Sequence, residues 1–200
     1  MITILLDSSN VNLSVGIAKD NVLLDYVSYE AWQRQSEYMI PELNKLLTKH
    51  NISNDDIKEI IVAIGPGSYT GVRIAITIAK TIATALDVSL YPVSSLRVLK
   101  DNNKPSICLV NARGNRSYIG VYQGNVTLLE DQIMNNDDVL KYIADHPDYS
   151  VCGELKYLNI NGITTNTLEQ MLSLKAVLKT INPLSLKPVY MKEEYAKPIY

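Results

Sequence analysis

The sequence predicts an α/β protein of two lobes, each a mixed sheet of β-β-β-α-β-α order flanked by helices. Two observations carry this: one order of strand-like and helix-like stretches runs twice along 200 residues, offset by roughly a hundred. The second is the polar, proline-closed stretch Lys100-Asp101-Asn102-Asn103-Lys104-Pro105 between the two copies. The expected lobes are 1–103 and 104–200, with the C-terminal segment free to cross back to the first.

In the first copy, Ile2 to Leu6 is a short continuous apolar run, the pattern of a buried strand. Val11, Leu13, Val15 and Ile17 then alternate with Asn12, Ser14 and Gly16, which predicts a half-buried strand. Lys19-Asp20-Asn21 turns the chain into a third strand, Val22 to Ser28, completing an antiparallel meander. Met39, Ile40, Leu43, Leu46 and Leu47 recur at helical spacing, with Pro41 either in the first turn or kinking the helix. A strand over Ile60 to Ile64 and a helix from about Gly71 to Leu86 follow, on either side of a glycine-rich stretch.

The second copy reads as strands over Ile107 to Val110, Tyr118 to Tyr122 and Val126 to Leu129, then a helix over Asp137 to Ala144. A strand over Tyr149 to Cys152 and a helix over Thr167 to Lys179 complete it.

A hydrophobic content of 46% is enough for a sizeable core, and a formal charge of −2 supplies no global basic field for nucleic acid. The start, Met1 to Asp7, has no basic segment and meets an acid after a short apolar run, so neither a signal peptide nor a membrane anchor is expected and the expected location is the cytoplasm. Cys108 and Cys152 lack partners at metal-ligand spacing and read as small buried hydrophobes.

The stretch Gly65-Pro66-Gly67-Ser68-Tyr69-Thr70-Gly71-Val72-Arg73 invites three phosphate or nucleophile readings, and fails each. A P-loop needs lysine and a hydroxyl after its last glycine, where Val72 and Arg73 stand. A dinucleotide fingerprint needs closer glycines after a first strand, and a hydrolase elbow needs glycines where Pro66 and Thr70 flank Ser68. Two readings stay open: a tight turn with Ser68 or Thr70 as N-cap, or a turn whose backbone N–H groups, with Arg73, meet an anion or a partner carboxylate.

The segment from Val72 to Leu86 is apolar nearly all round, as in a helix buried on several sides or docked on another chain. Arg73 and Lys80 count against a membrane span. No acid–base pair, nucleophile–base pair or metal-ligand cluster stands out, and the two histidines, His50 and His146, are far apart. No catalytic residue, metal or cofactor is assigned.

Two lobes of this order suggest the actin-like and Hsp70-like (ASKHA) superfamily, which usually carries Asp-x-Gly after the first strand. This chain has Asp7-Ser8-Ser9-Asn10, so independent ATP chemistry is not expected; an ATP-dependent kinase or ATPase is the alternative reading.

Residues 65 to 75, between Leu6-Asp7-Ser8-Ser9 and Pro92-Val93-Ser94-Ser95-Leu96, closely resemble the bacterial TsaB family, also called YeaZ. Weaker matches run through Gln35 to Pro41, Asn111-Ala112-Arg113, Tyr118 to Tyr122, Cys152-Gly153 and Pro188 to Met191. The resemblance implies an inactive paralogue of TsaD, the enzyme that transfers a threonylcarbamoyl group to the adenosine beside the tRNA anticodon. It implies a heterodimer with TsaD, joined by the ATPase TsaE, with tRNA met indirectly through the complex; a homodimer of the free chain stays open. By the same resemblance the interface falls on helices 36 to 48 and 71 to 86, with Met39, Ile40, Leu43, Leu46, Leu47, Val72, Ile76, Ala79, Lys80 and Ala83 as its residues. Gly65, Gly67, Ser68, Tyr69, Thr70, Gly71 and Arg73 form the turn for an anion or partner. Gln35, Asn111 and Arg116 depart from the family pattern, which removes groups that could touch a ligand.

Overall fold

A computed structural model describes residues 1–31 and 34–191. It shows two mixed sheets, one of five strands and one of four. In the first, β1 (Ile2–Asp7) lies between β2 (Asn12–Lys19), to which it is antiparallel, and β4 (Ile57–Ala63), to which it is parallel. β3 (Val22–Glu30) extends the meander and β5 (Ser89–Val93) closes the other edge. The second sheet repeats the pattern with β6 (Ser106–Asn111), β7 (Arg116–Gln123), β8 (Val126–Asn135) and β9 (Ser150–Gly153).

Successive side chains of a strand face opposite sides, and both sides of β1 are covered. Ile4 and Leu6 point toward α1 (Gln35–Lys49) and α2 (Tyr69–Leu86), joining Met39, Leu43, Val72 and Ile76 in one core. Leu5, with Ala18 and Ile61, points the other way, toward α4 (Thr167–Leu174) and its Leu168 and Met171. That is why β1 reads as an uninterrupted apolar run. In the second sheet, α3 (Asn136–Asp145) covers one face through Val139.

Several expectations shift. β5 was not expected from sequence, because Pro92 interrupts its apolar pattern; an edge strand tolerates the missing N–H. Pro41 sits inside α1, beyond its first turn, where it removes one intrahelical bond. α2 begins at Tyr69 with Ser68 as its N-cap, and Ser68 Oγ accepts from the Gly71 N–H at 3.2 Å. The helix expected over 167–179 ends at Leu174 and packs on the first sheet instead of completing the second lobe.

After α4 the chain runs as a strap over the first lobe. The Ile181 N–H donates to Leu90 O at 3.0 Å on the edge of β5, and the Val189 N–H to Ile64 O at 2.8 Å. Met191 packs against the second-lobe cluster that includes Cys108 and Tyr118. The lobes also meet where Asp131 of β8 accepts hydrogen bonds from Ser94, just beyond β5, and from Tyr122.

At the C-terminal end of α1, Asp25 of β3 accepts from Lys49 Nζ at 2.8 Å and lies 2.8 Å from His50 Nε2. The Lys49 ammonium, then His50, hold its carboxyl down to about 2. A carboxyl lowered by folding stabilises the fold above its ordinary pKa and stops doing so as pH falls through the folded value. Asp25→Asn is therefore expected to be less stable than the parent above about pH 4, with the difference closing toward about pH 2; urea unfolding across this range tests it.

Candidate partner-binding face

The glycine-rich stretch packs backbone to backbone against the β1–β2 turn. A Cβ on Gly67 would lie 2.1 Å from Ser9 O, and one on Gly71 1.8 Å from Ser8 O. The Ser68 N–H donates to Ser9 O at 2.6 Å, and Ser8 Oγ donates to Gly71 O at 2.7 Å. Gly65 has φ of +101°, a conformation open to glycine. These glycines thus let the start of α2 close over the turn that follows β1. Asp7 lies beneath, 3% exposed, accepting from the Ser9 N–H at 2.8 Å; burial pushes its carboxyl above the usual carboxylate range.

Residues of that stretch have diverging fates. Gly65, Gly67 and Gly71 build the turn and Ser68 caps the helix, whereas Tyr69, Thr70 and Arg73 reach the surface. Arg73 donates from Nη1 to the Tyr69 hydroxyl at 2.6 Å, its guanidinium 5.2 Å from the Tyr69 ring centroid. Tyr69 in turn stacks on Tyr190 of the strap, centroids 5.0 Å apart.

The side chains assigned from sequence to a partner mostly turn inward. Met39, Leu43, Leu46, Val72, Ile76, Ala79 and Ala83 are buried in the first lobe's own core, Ala79 at 0% and Ala83 at 1% exposed. Their side chains are committed to the chain's own core, Ile76 also forming part of a cavity wall on the strap side. Leu47 is half-buried against that core, and Lys80 donates to Leu186 O at 3.1 Å and Leu184 O at 3.3 Å, holding the strap. Of the sequence-assigned helix residues, Ile40 stands out, at 57% exposed.

What the two helices do present is a different stripe. Ile40 of α1 and Tyr69, Arg73, Ile74, Thr77 and Ile78 of α2 line a groove of about 460 Å³. Sequence reading missed Ile74, Thr77 and Ile78. The signal was there, since Ile74 and Ile78 are four apart and form a second apolar line beside the Val72–Ile76–Ala79–Ala83 line.

Other candidate chemistry is structural. Cys108 and Cys152 are register partners on adjacent strands, fully buried, and burial pushes both thiols up. His146 is stacked on Tyr142, with Nδ1 2.8 Å from the Tyr142 carbonyl. Asn111 Oδ1 accepts from the Arg113 N–H at 2.8 Å and so caps the β6–β7 turn, and Gln35 is buried at the start of α1. Among the described residues, no three His, Cys, Asp or Glu side chains gather as a metal site, and no helix is long and apolar enough to cross a membrane.

The family model described as TsaD, tRNA N6-adenosine threonylcarbamoyltransferase, matches residues 28–172. The tRNA threonylcarbamoyladenosine biosynthesis protein TsaB of Bacillus subtilis is 36% identical over 145 residues, covering 70% of this chain; the match spans 62% of that relative's length. The uncharacterized protein MG208 of Mycoplasma genitalium is 27% identical over 184 residues, covering 92% of this chain and 90% of its own. Among solved structures, YeaZ from Pseudomonas aeruginosa superposes with a TM-score of 0.78 at 20% identity, covering 95% of this chain and 99% of that one, a likeness of fold. The chain belongs to the TsaD family, among its TsaB (YeaZ) members.

Proposed function

We propose that this chain is a non-catalytic subunit of tRNA threonylcarbamoyladenosine biosynthesis, acting in the cytoplasm, that pairs with a TsaD-type transferase through the groove between α1 and α2. The groove is the observation that carries this reading: exposed Ile40 and half-buried Ile74 and Ile78 line an apolar furrow between two helices whose buried faces pack on the core. In this reading the two lobes, 1–103 and 104–200, hold the helix pair in a fixed arrangement. Docking favours the transferase's competent lobe arrangement, as any ligand that prefers one state does. TsaE joins the pair, and tRNA is met through the complex. The turn above Asp7 supports the non-catalytic part, because its backbone is already packed against Gly67 and Gly71 at the start of α2.

Ile40 is the residue for the test, since its side chain stands clear of the core. Ile40→Asp is expected to leave the melting profile unchanged while weakening association with the cognate TsaD by roughly thirtyfold or more, as loss of an apolar anchor does. Threonylcarbamoyl transfer to tRNA by TsaD and TsaE should require this chain and fail with the variant. Equal transfer without the chain, or ATP turnover by the chain alone, would overturn the proposal.

A further inference from the structure

Beside the apolar groove, and sharing Arg73 and Thr77 with it, lies a second cavity of about 330 Å³ between α2 and the strap. Its rim holds three cations: Arg73 and Lys80 from α2 and Lys187 from the strap, with Ile76, Leu186 and Tyr190 completing the walls. Three positive charges around one small cavity is an unusual concentration in a chain of formal charge −2. Among the described residues none of the three forms an ion pair with a carboxylate. Arg73 is spent on the Tyr69 hydroxyl, and Lys80 on two strap carbonyls, which orient these charges without neutralising them.

The geometry points to a second component of the partner-binding face: this cavity receives acidic side chains of the same protein partner whose apolar helix surface fills the groove. The inference rests on the reading of the α1–α2 face as the partner site. Continuity decides the class of ligand, because a partner surface lying along α2 over Ile74 and Ile78 runs directly onto Arg73 and the cavity beyond it. Charge decides the chemistry, because cations at the edge of an apolar seat orient a partner and accelerate its arrival when it carries carboxylates in register. The strap is then a recognition element, since Lys187 belongs to it and the stacking of Tyr190 on Tyr69 fixes its place beside the groove.

Lys187 is exposed on the strap, so its charge can be reversed without touching the core. Binding of the full-length chain to the cognate TsaD would be measured at about 0.1 M and about 1 M salt, where screening lengths are about 10 Å and about 3 Å. Lys187→Glu is expected to weaken binding roughly tenfold at low salt and much less at high salt, with Lys187→Gln in between. Reversal of one partner acid to lysine should restore the affinity of Lys187→Glu. Unchanged or tighter binding by Lys187→Glu, or a loss equal at both salts, overturns the inference. So does Lys187-dependent binding of inorganic phosphate to the free chain with partner affinity unmoved, which would assign the cavity to a phosphate ligand. Ile40→Asp separates the two levels: binding lost in Ile40→Asp but unmoved in Lys187→Glu leaves the groove and removes the acidic seat, whereas binding unmoved in both removes the groove as well.

Discussion

Gly71→Ala should lower the stability of this protein by about 3 kcal/mol, although alanine is the better helix former. Gly71 is the third residue of α2, and propensity alone would favour alanine by about 1 kcal/mol. Against that stands the new methyl, 1.8 Å from the Ser8 carbonyl oxygen. The obstacle is backbone, so no rotamer change relieves it; the helix start or the β1–β2 turn must move, and with it the bonds from Ser68 N–H to Ser9 O and from Ser8 Oγ to Gly71 O. For a chain of this size the loss corresponds to a fall in melting temperature of roughly 10 °C. Gly124→Ala is the control. Its φ is +55° with nothing within 4 Å of the added carbon, so the cost is the conformational one alone, about 1 kcal/mol. A Gly71→Ala protein as stable as the parent would show that the close approach is not what glycine serves here.

The second large effect is expected at Glu59, a carboxylate of β4 that is 8% exposed and faces α4. It pairs with Lys175 just beyond that helix, and accepts from Thr3 Oγ1 at 2.9 Å and from the Tyr91 hydroxyl at 3.4 Å. Removing Glu59 strands the half-buried Lys175 ammonium, which costs at most about 3 kcal/mol, the level of a fully buried pair. Glu59→Ala should therefore be strongly destabilised in urea and expose the strap after Lys175 to proteolysis. The paired change Glu59→Gln with Lys175→Met leaves no charge behind and should recover most of the loss. If Glu59→Ala alone were neutral, the pair would be incidental to the anchoring of α4 and the strap.

How much of this was legible depended on whether a pattern was local. Alternation in β2 and the unbroken run in β1 both mark strands where the sequence puts them, but β2, expected half-buried, is buried on both faces because Gly16 and Ala18 lie against Leu168 of α4. β5 escaped because Pro92 contradicts a strand in the interior of a sheet, and nothing nearby in sequence says that this strand lies at the edge. The helix at 167 was legible as a helix, but its home was not. It buries Leu168 and Met171 against Leu5 and Ile61, residues more than a hundred positions away.

The partner face shows the same division. An α2 apolar on nearly every side gives no hydrophobic direction; the family resemblance assigns Val72, Ile76, Ala79 and Ala83 to a partner, and the structure spends those residues on the chain's own core. The surface that is left, Ile40 with Ile74 and Ile78, exists because the core needs only one stripe of each helix.

The sequence by itself determined the repeated order of strands and helices, the family through residues 65 to 75, and the absence of a P-loop or a nucleotide-binding fingerprint in that stretch. Only the tertiary structure decided which stripe of α2 is covered, why Gly67 and Gly71 are glycines, and that Arg73, Lys80 and Lys187 surround one cavity. The physical reason is range: side-chain period is fixed by each residue's own backbone, whereas burial and close approach depend on which distant surface arrives to fill the space.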